Sequence, residues 1–293
     1  ALPISTDTQI VGYFDALIGK YLLYTRSYMV GVRAPGFEPP SPEMYQLYCR
    51  RAIGRTESAD FRVFAPADDI VEPGPDMSPW DQIYTNCRTT IPGAPDHHLM
   101  FPTIFDLNSD TTRVEFMSSY DGRIWHRVPG GPVFRTADYG QWDGGCVFAS
   151  PNLVELPSGE WVLPYTGYFD PHKYPHGGAR YNGGLAVWPK GRLSAIVADD
   201  EGAFTTPPLV VPGGKLRINA VTGRNGFVQV EAADLAGRPV EGRSFAEAVP
   251  QTGDLHWAPV TWAGHNDLGL KQGEPVVLRF RMKLAKIYGL QFD

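Results

Sequence analysis

The chain has 293 residues, 26 of them Lys or Arg and 32 Asp or Glu, for a formal net charge of -6. That length suits two domains, and an acid excess without any basic block excludes a nucleic-acid-binding surface, which depends on cations that neutralise phosphates. With 32 Gly, 27 Pro and 12% aromatic residues, the composition fits many short strands joined by tight turns.

In chain order, strand patterns dominate and helix patterns are scarce. Residues 9–14 and 21–25 read as a hairpin turning at Gly19-Lys20, followed by strands at 45–50 and 61–64. The order returns with 82–89, a turn at Pro95-Asp96, and strands at 98–104, 113–119 and 124–128. A third pass runs through 146–156, 161–166, 183–188 and 193–197. Successive second strands are about 65–80 residues apart, longer than the ~40–45 of a short propeller blade but recurrent. Four antiparallel strands in succession make one blade, so residues 1–201 are expected to hold about three propeller blades. The segment Ser119-Tyr120-Asp121-Gly122-Arg123-Ile124-Trp125 is close to the Asp-box of sialidases, one residue shorter between Asp and Trp, and reads as a structural hairpin.

The texture changes near Gly202. After the extended Thr205-Thr206-Pro207-Pro208 linker, clean alternation sets in. Leu216, Ile218 and Ala220, then Val228, Val230 and Ala232, then Val276, Leu278, Phe280 and Met282 lie on buried faces, with polar residues between them. One-face burial marks an antiparallel sandwich, expected over 202–293. The fold class is therefore all-β, a partial propeller followed by a β-sandwich. No apolar run approaches the ~20 residues that span a bilayer, so no membrane partner is expected. The first residues do not form a signal peptide, which leaves a soluble chain of secreted, periplasmic or cytoplasmic location. Cys49, Cys87 and Cys146 are odd in number and widely spaced, a pattern of free thiols rather than of a disulfide framework.

Several of these strings resemble one group of proteins. Arg51-Ala52-Ile53-Gly54-Arg55-Thr56-Glu57-Ser58 with Asp60-Phe61, Tyr84-Thr85-Asn86, Met100-Phe101-Pro102 and Tyr165-Thr166-Gly167 look like blade strands of the five-bladed β-propeller glycoside hydrolases. These include the invertase, arabinanase and xylosidase types. The closing stretch, Val277-Leu278-Arg279-Phe280 with Ala285-Lys286-Ile287-Tyr288-Gly289-Leu290-Gln291-Phe292, is similar to the sandwich appended to bacterial members. The resemblance implies a hydrolase of glycosidic bonds in poly- or oligosaccharides, with its site at the propeller axis. It is compatible with an axial calcium, although no cofactor or metal site is expected, because no three- or four-ligand spacing appears. The pattern also departs from the family. About three blades stand where five close the ring, as though the chain were N-terminally incomplete, and the Trp-Met-Asn-Asp-Pro, Arg-Asp-Pro and Glu-Cys motifs are missing.

Inner strands converge at a propeller axis, which singles out Asp7-Thr8-Gln9, Tyr84-Thr85-Asn86 and Asp143-Gly144-Gly145. Glycoside hydrolysis needs two carboxyl groups across the scissile bond, and Asp7 and Asp143 are the candidate catalytic pair. Each is also well placed to cap an Asx-turn. Gln9, Arg51, Tyr84, Asn86, Trp142, Tyr168 and His176 are candidate substrate contacts, the aromatics because sugar C–H faces pack on flat rings. Glu57 is a further acid candidate or a strand-edge residue, and Asp96 reads mainly as a turn residue. Two rival functions stay open: a non-catalytic carbohydrate-binding module, and an assembly protein that forms homo-oligomers through open propeller edges.

Overall fold

A computed structural model describes residues 8–29, 49–173, 180–271 and 273–293. The chain divides into two compact units, Ala1–Val187 and Trp188–Asp293. The described residues hold no helix, and the strand registers described are all antiparallel. The fold is all-β, an arrangement consistent with propeller blades followed by a sandwich.

The first unit is a series of meanders. β1 (Val11–Asp15), β2 (Lys20–Met29), β3 (Arg50–Ser58) and β4 (Asp68–Val71) form one sheet in that order. The fourth strand is thus not 61–64. Phe61 adopts a φ of 61° there, and the chain bends so that Phe61 packs on Tyr21 and Phe64.

The second meander comprises β5 (Asp81–Ile83), β6 (Arg88–Ile91), β7 (Ala94–Met100), β8 (Thr103–Asp106), β9 (Thr111–Val114), β10 (Met117–Ser119), β11 (His126–Arg127) and β12 (Phe134–Arg135). These make two sheets, β12-β9-β8-β5 and β11-β10-β7-β6. They are halves of four long strands, interrupted midway where Cys87 takes a φ of 44° and Pro102 lacks an N–H. Backbone bonds still cross the break, with Tyr84 donating to Thr103 at 2.8 Å and Glu115 to Pro102 at 3.0 Å. The turn between β6 and β7 falls at Pro92-Gly93 rather than at Pro95-Asp96, since Gly93, with a φ of 82°, supplies the left-handed position.

The third meander has β13 (Cys146–Ala149), β14 (Val154–Glu155), β15 (Glu160–Tyr168) and β16 (Tyr181–Pro189). β13 and β14 lie along one side of β15, and β16 also pairs with β15. Buried Leu22, Tyr24, Ile53, Ile83, Met100, Ile104 and Met117 form a core shared by the first two meanders.

In the second unit, β17 (Ile196–Thr205), β18 (Leu209–Val210), β19 (Leu216–Ala233), β20 (Asp254–Pro259) and β21 (Pro275–Phe292) form a five-stranded sheet in the order β17-β21-β19-β20, with β18 also on β21. β17 pairs along β21, which is why the division precedes the expected position near Gly202. The runs at 216–220 and 228–232 are one strand, broken in register between Thr222 and Phe227 opposite Leu284, whose φ is 44°. The long pair β19–β21 bends there, and both halves supply one core that includes Ile218, Val230, Phe280, Ile287 and Trp262.

Candidate functional site

The first strands of the three meanders are tied together by side chains. Gln9 donates from Nε2 to the Ala149 carbonyl (3.1 Å) and accepts from the Cys87 N–H at Oε1 (2.6 Å). Asn86, which is 1% exposed, donates to the carbonyls of Gln9 and Tyr24 at 3.4 Å each and accepts from the Arg88 N–H at 3.0 Å. Cys87 donates to the Ser150 carbonyl, and the Leu153 N–H donates to Thr89 Oγ1 at 3.1 Å. The convergence expected of Gln9 and Asn86 is therefore present, but their polar groups bind the protein. Buried backbone groups need such partners, and these two side chains supply them.

Tyr84 lies at the end of this seam, half-buried. The Arg51 and Arg26 guanidinium carbons stand 5.0 and 5.5 Å from its ring centroid. Both arginines are buried, at 7% and 4% exposure. His172 Nε2 meets the Tyr84 hydroxyl at 2.9 Å. Phe105 and Phe148 flank the ring with centroids at 5.7 and 5.9 Å, and the series continues from Phe148 to Tyr168 (5.8 Å) and on to Tyr181 (5.6 Å). Arg26 is fixed by donating to Thr8 Oγ1 (3.1 Å) and the Tyr28 hydroxyl (2.9 Å). Burial raises the Tyr168 hydroxyl pKa, so it remains a donor. Two buried guanidinium groups, an imidazole and a row of aromatic rings are thus brought together.

Of the expected contacts, Arg51, Tyr84 and Tyr168 thus meet in one cluster. Trp142 and Asp143 do not join it. Asp143 Oδ2 accepts from the Tyr165 hydroxyl at 3.0 Å, and Trp142 stacks on the Tyr165 ring at 5.6 Å. In the β13–β15 register, Phe148 and Tyr168 point to one face and Tyr165 to the other. Burial, followed by the Asp143 carboxylate, pushes the Tyr165 hydroxyl up to about 12. Asp7 and His176 lie outside the described residues. Arg26 and His172 are the members that sequence reading missed. His172 sits in the His- and Tyr-rich stretch that begins at Pro171, but nothing local tells which histidine of that stretch reaches Tyr84.

The other acidic candidates have structural partners. Glu57 bonds Lys20 at 2.7 Å, Arg55 at 2.8 Å and Arg123, and these three donors hold its carboxyl down at about 2. Asp121 caps its turn by accepting from the N–H groups of Arg123 (2.8 Å) and Ile124 (2.9 Å), and Asp96 is exposed beside His97. Buried Asp81 pairs with Arg113, and Glu115 with Arg113 and Arg127. Among the described residues no group of three or more His, Cys, Asp or Glu is placed to hold a metal, and no helix is long and apolar enough to cross a membrane.

No family model and no curated protein matches the chain. Among solved structures it is similar to an N-acetylgalactosamine deacetylase from F. plautii in complex with blood group B trisaccharide, at 14% identity over 62% of this chain and 50% of that one (TM-score 0.44). A glycosyl hydrolase from Bacteroides ovatus matches at 12% identity over 62% of this chain and 66% of the other (TM-score 0.34). A GH32 beta-fructofuranosidase from Bombyx mori matches at 10% identity over 96% and 78% (TM-score 0.38). The chain spans about half the length of the deacetylase. Each is a likeness of backbone path and carries no residue role with it.

Proposed function

We propose that this chain is the carbohydrate-handling part of a glycoside hydrolase, with its sugar site at the Tyr84 cluster. The observation that carries this reading is the pair of buried arginines, Arg26 and Arg51, on the Tyr84 ring with His172 on its hydroxyl, beside the seam where the first strands meet. Aromatic faces take the apolar side of a pyranose, and the cationic donors take its hydroxyls. The proposed chemistry is acid–base or nucleophilic attack at the anomeric carbon by two carboxyl groups, with Asp7 and Asp143 as the pair. In the sequence Asp7 directly precedes Thr8, whose hydroxyl accepts from Arg26. The Asp143 carboxyl meets Tyr165 on the face of the β13–β15 pair opposite Tyr168, so its place in the pair is what the test below decides.

The test is a turnover screen with aryl-glycosides and plant or algal oligosaccharides, run on the parent chain, Asp7→Asn, Asp143→Asn and Tyr84→Ala. Turnover in the parent that is lost in both aspartate variants, with folding intact, supports the pair. Turnover kept in Asp143→Asn removes Asp143 from it and leaves that residue as the Tyr165 anchor. No turnover on any substrate overturns the hydrolase reading.

A second reading, a non-catalytic carbohydrate-binding or assembly protein, is favoured by one observation. Asp81 and Glu115, buried in the first unit, are tied to arginines. Binding of an oligosaccharide that depends on Tyr84 but is never cleaved would select it. A homo-oligomer on sizing would select the assembly form, since edge strands such as β1 offer pairing sites.

A further inference from the structure

The second unit carries a cleft of about 500 Å³ whose lining includes Ala203, Thr205, Glu231, Phe245, Arg279 and Arg281. Three cations follow one another on one face of β21, at 279, 281 and 283. Their cross-strand neighbours differ in a telling way. Arg279 stands opposite Glu231 on β19, and Lys283 opposite Glu201 on β17. Both pairs are made, at 2.9 and 3.1 Å. Arg281 stands between Ala203 and Gln229, and among the described residues it has no carboxylate partner. Its guanidinium carbon instead lies 4.1 Å from the Phe245 ring centroid.

Phe245 is itself fixed from below. Its N–H donates to Glu231 Oε2 at 3.0 Å, while Glu231 Oε1 accepts from Arg279. Arg279 donates again to the Gly237 carbonyl at 2.9 Å. The aromatic ring therefore holds the Arg281 guanidinium in place without consuming its N–H donors, which is how a pre-organised carboxylate fork is built. Ala203 and Thr205 are small and exposed, which leaves the space beside that fork open. A purely structural cation–π contact accounts for the 4.1 Å approach, but not for a cleft beside the one member of the row that lacks an acid.

We propose that this cleft is a second saccharide site, selective for sugars that carry a carboxylate. Arg281 takes the carboxylate and Phe245 packs against the sugar ring. The anion half stands on Arg281 and its neighbours alone; the sugar half rests on the saccharide reading above. Calorimetric titration of the full chain with trigalacturonate is the test, with neutral galactotriose and the simple dicarboxylate glutarate beside it. Trigalacturonate is expected to bind at least about tenfold more tightly than either comparison ligand, the scale of one charge-assisted bidentate contact. Arg281→Ala is expected to weaken it by about tenfold or more, and Phe245→Ala severalfold. Lys283→Ala, whose charge is already met by Glu201, leaves it within about twofold.

Equal affinity for the charged and neutral sugars, an unaffected Arg281→Ala, or no binding overturns the proposal. Glutarate binding as tightly as trigalacturonate overturns its saccharide half. Arg281-dependent binding that survives alongside a failed turnover screen separates this site from the hydrolase reading.

Discussion

Two titratable side chains of the first unit give pH dependence of the same sign in different ranges, because folding lowers the pKa of both. His98 is buried at 5% exposure, and its Nδ1 faces Arg88 Nη2. Burial first, and the Arg88 charge second, depress its pKa below the ordinary value near 6.5. The unfolded chain therefore binds a proton there before the folded one does. The stability that neutral His98 supplies is complete above about pH 6.5 and is lost as pH falls from that value towards the lowered folded pKa. Thermal melts between pH 8 and 5 should show this loss in the parent and a flatter profile in His98→Gln; parallel profiles would remove His98 as the cause. Glu57, held at about 2 by Lys20, Arg55 and Arg123, acts lower on the scale. Its contribution is complete above the unfolded carboxyl value near 4.3 and is lost as pH falls from there towards 2. Glu57→Gln should abolish that part of the acid limb, read by circular dichroism, and leave the neutral range little changed. Asp81 is different in kind. It is 4% exposed and accepts from Arg113 at 2.9 and 2.7 Å, so Asp81→Asn removes the buried half of a bidentate pair and leaves half-buried Arg113 with Glu115 alone, which should cost about 2 kcal/mol in denaturant melts.

Among the elements, the bend of the β19–β21 pair separates what pattern reveals from what it hides. The alternation at 216–220, 228–232 and 276–282 was legible because one face is buried, and a period of two then fixes which residue points inward. The bend was not legible, because it depends on where two chains cross. Leu284 sits at a φ of 44°, a conformation unfavourable for a branched side chain. A Cβ on Gly226 would lie 2.6 Å from the Lys283 carbonyl oxygen and 2.7 Å from that of Leu284. The two positions predict opposite effects. Leu284→Gly, at a side chain 37% exposed, should relieve strain and change stability by at most about 1 kcal/mol, in the favourable direction. Gly226→Ala should destabilise by about 2 kcal/mol or more, since the obstruction is backbone rather than a movable side chain. Chemical denaturation of both variants checks the pair, and a stabilising Gly226→Ala would refute this account of the bend. The same logic explains the misplaced strand at 61–64. Its alternation was real, but Phe61 and Phe64 turn onto each other at 5.7 Å instead of continuing a ladder.

At the scale of the whole molecule, the candidate site was legible in part, since Arg51, Tyr84 and Tyr168 were expected contacts and lie in one cluster. Tyr84 and the convergence of Gln9 and Asn86 followed from strand order, whereas Arg26, on β2, and His172, in a loop, reach Tyr84 only through tertiary packing. The core cluster of the second unit draws only on residues after Trp188. Phe280 is fully buried in that core and stacks on Phe204 with centroids 4.5 Å apart. Phe280→Ala removes a ring from a packed interior and should cost about 3–5 kcal/mol. If each unit melts around its own core, calorimetry of the parent resolves two transitions. The variant then lowers one of them by about 10 °C or more, the shift that several kcal/mol produces in a domain of this size, and leaves the other in place. A single transition that moves as a whole would show instead that the two cores unfold as one cooperative body.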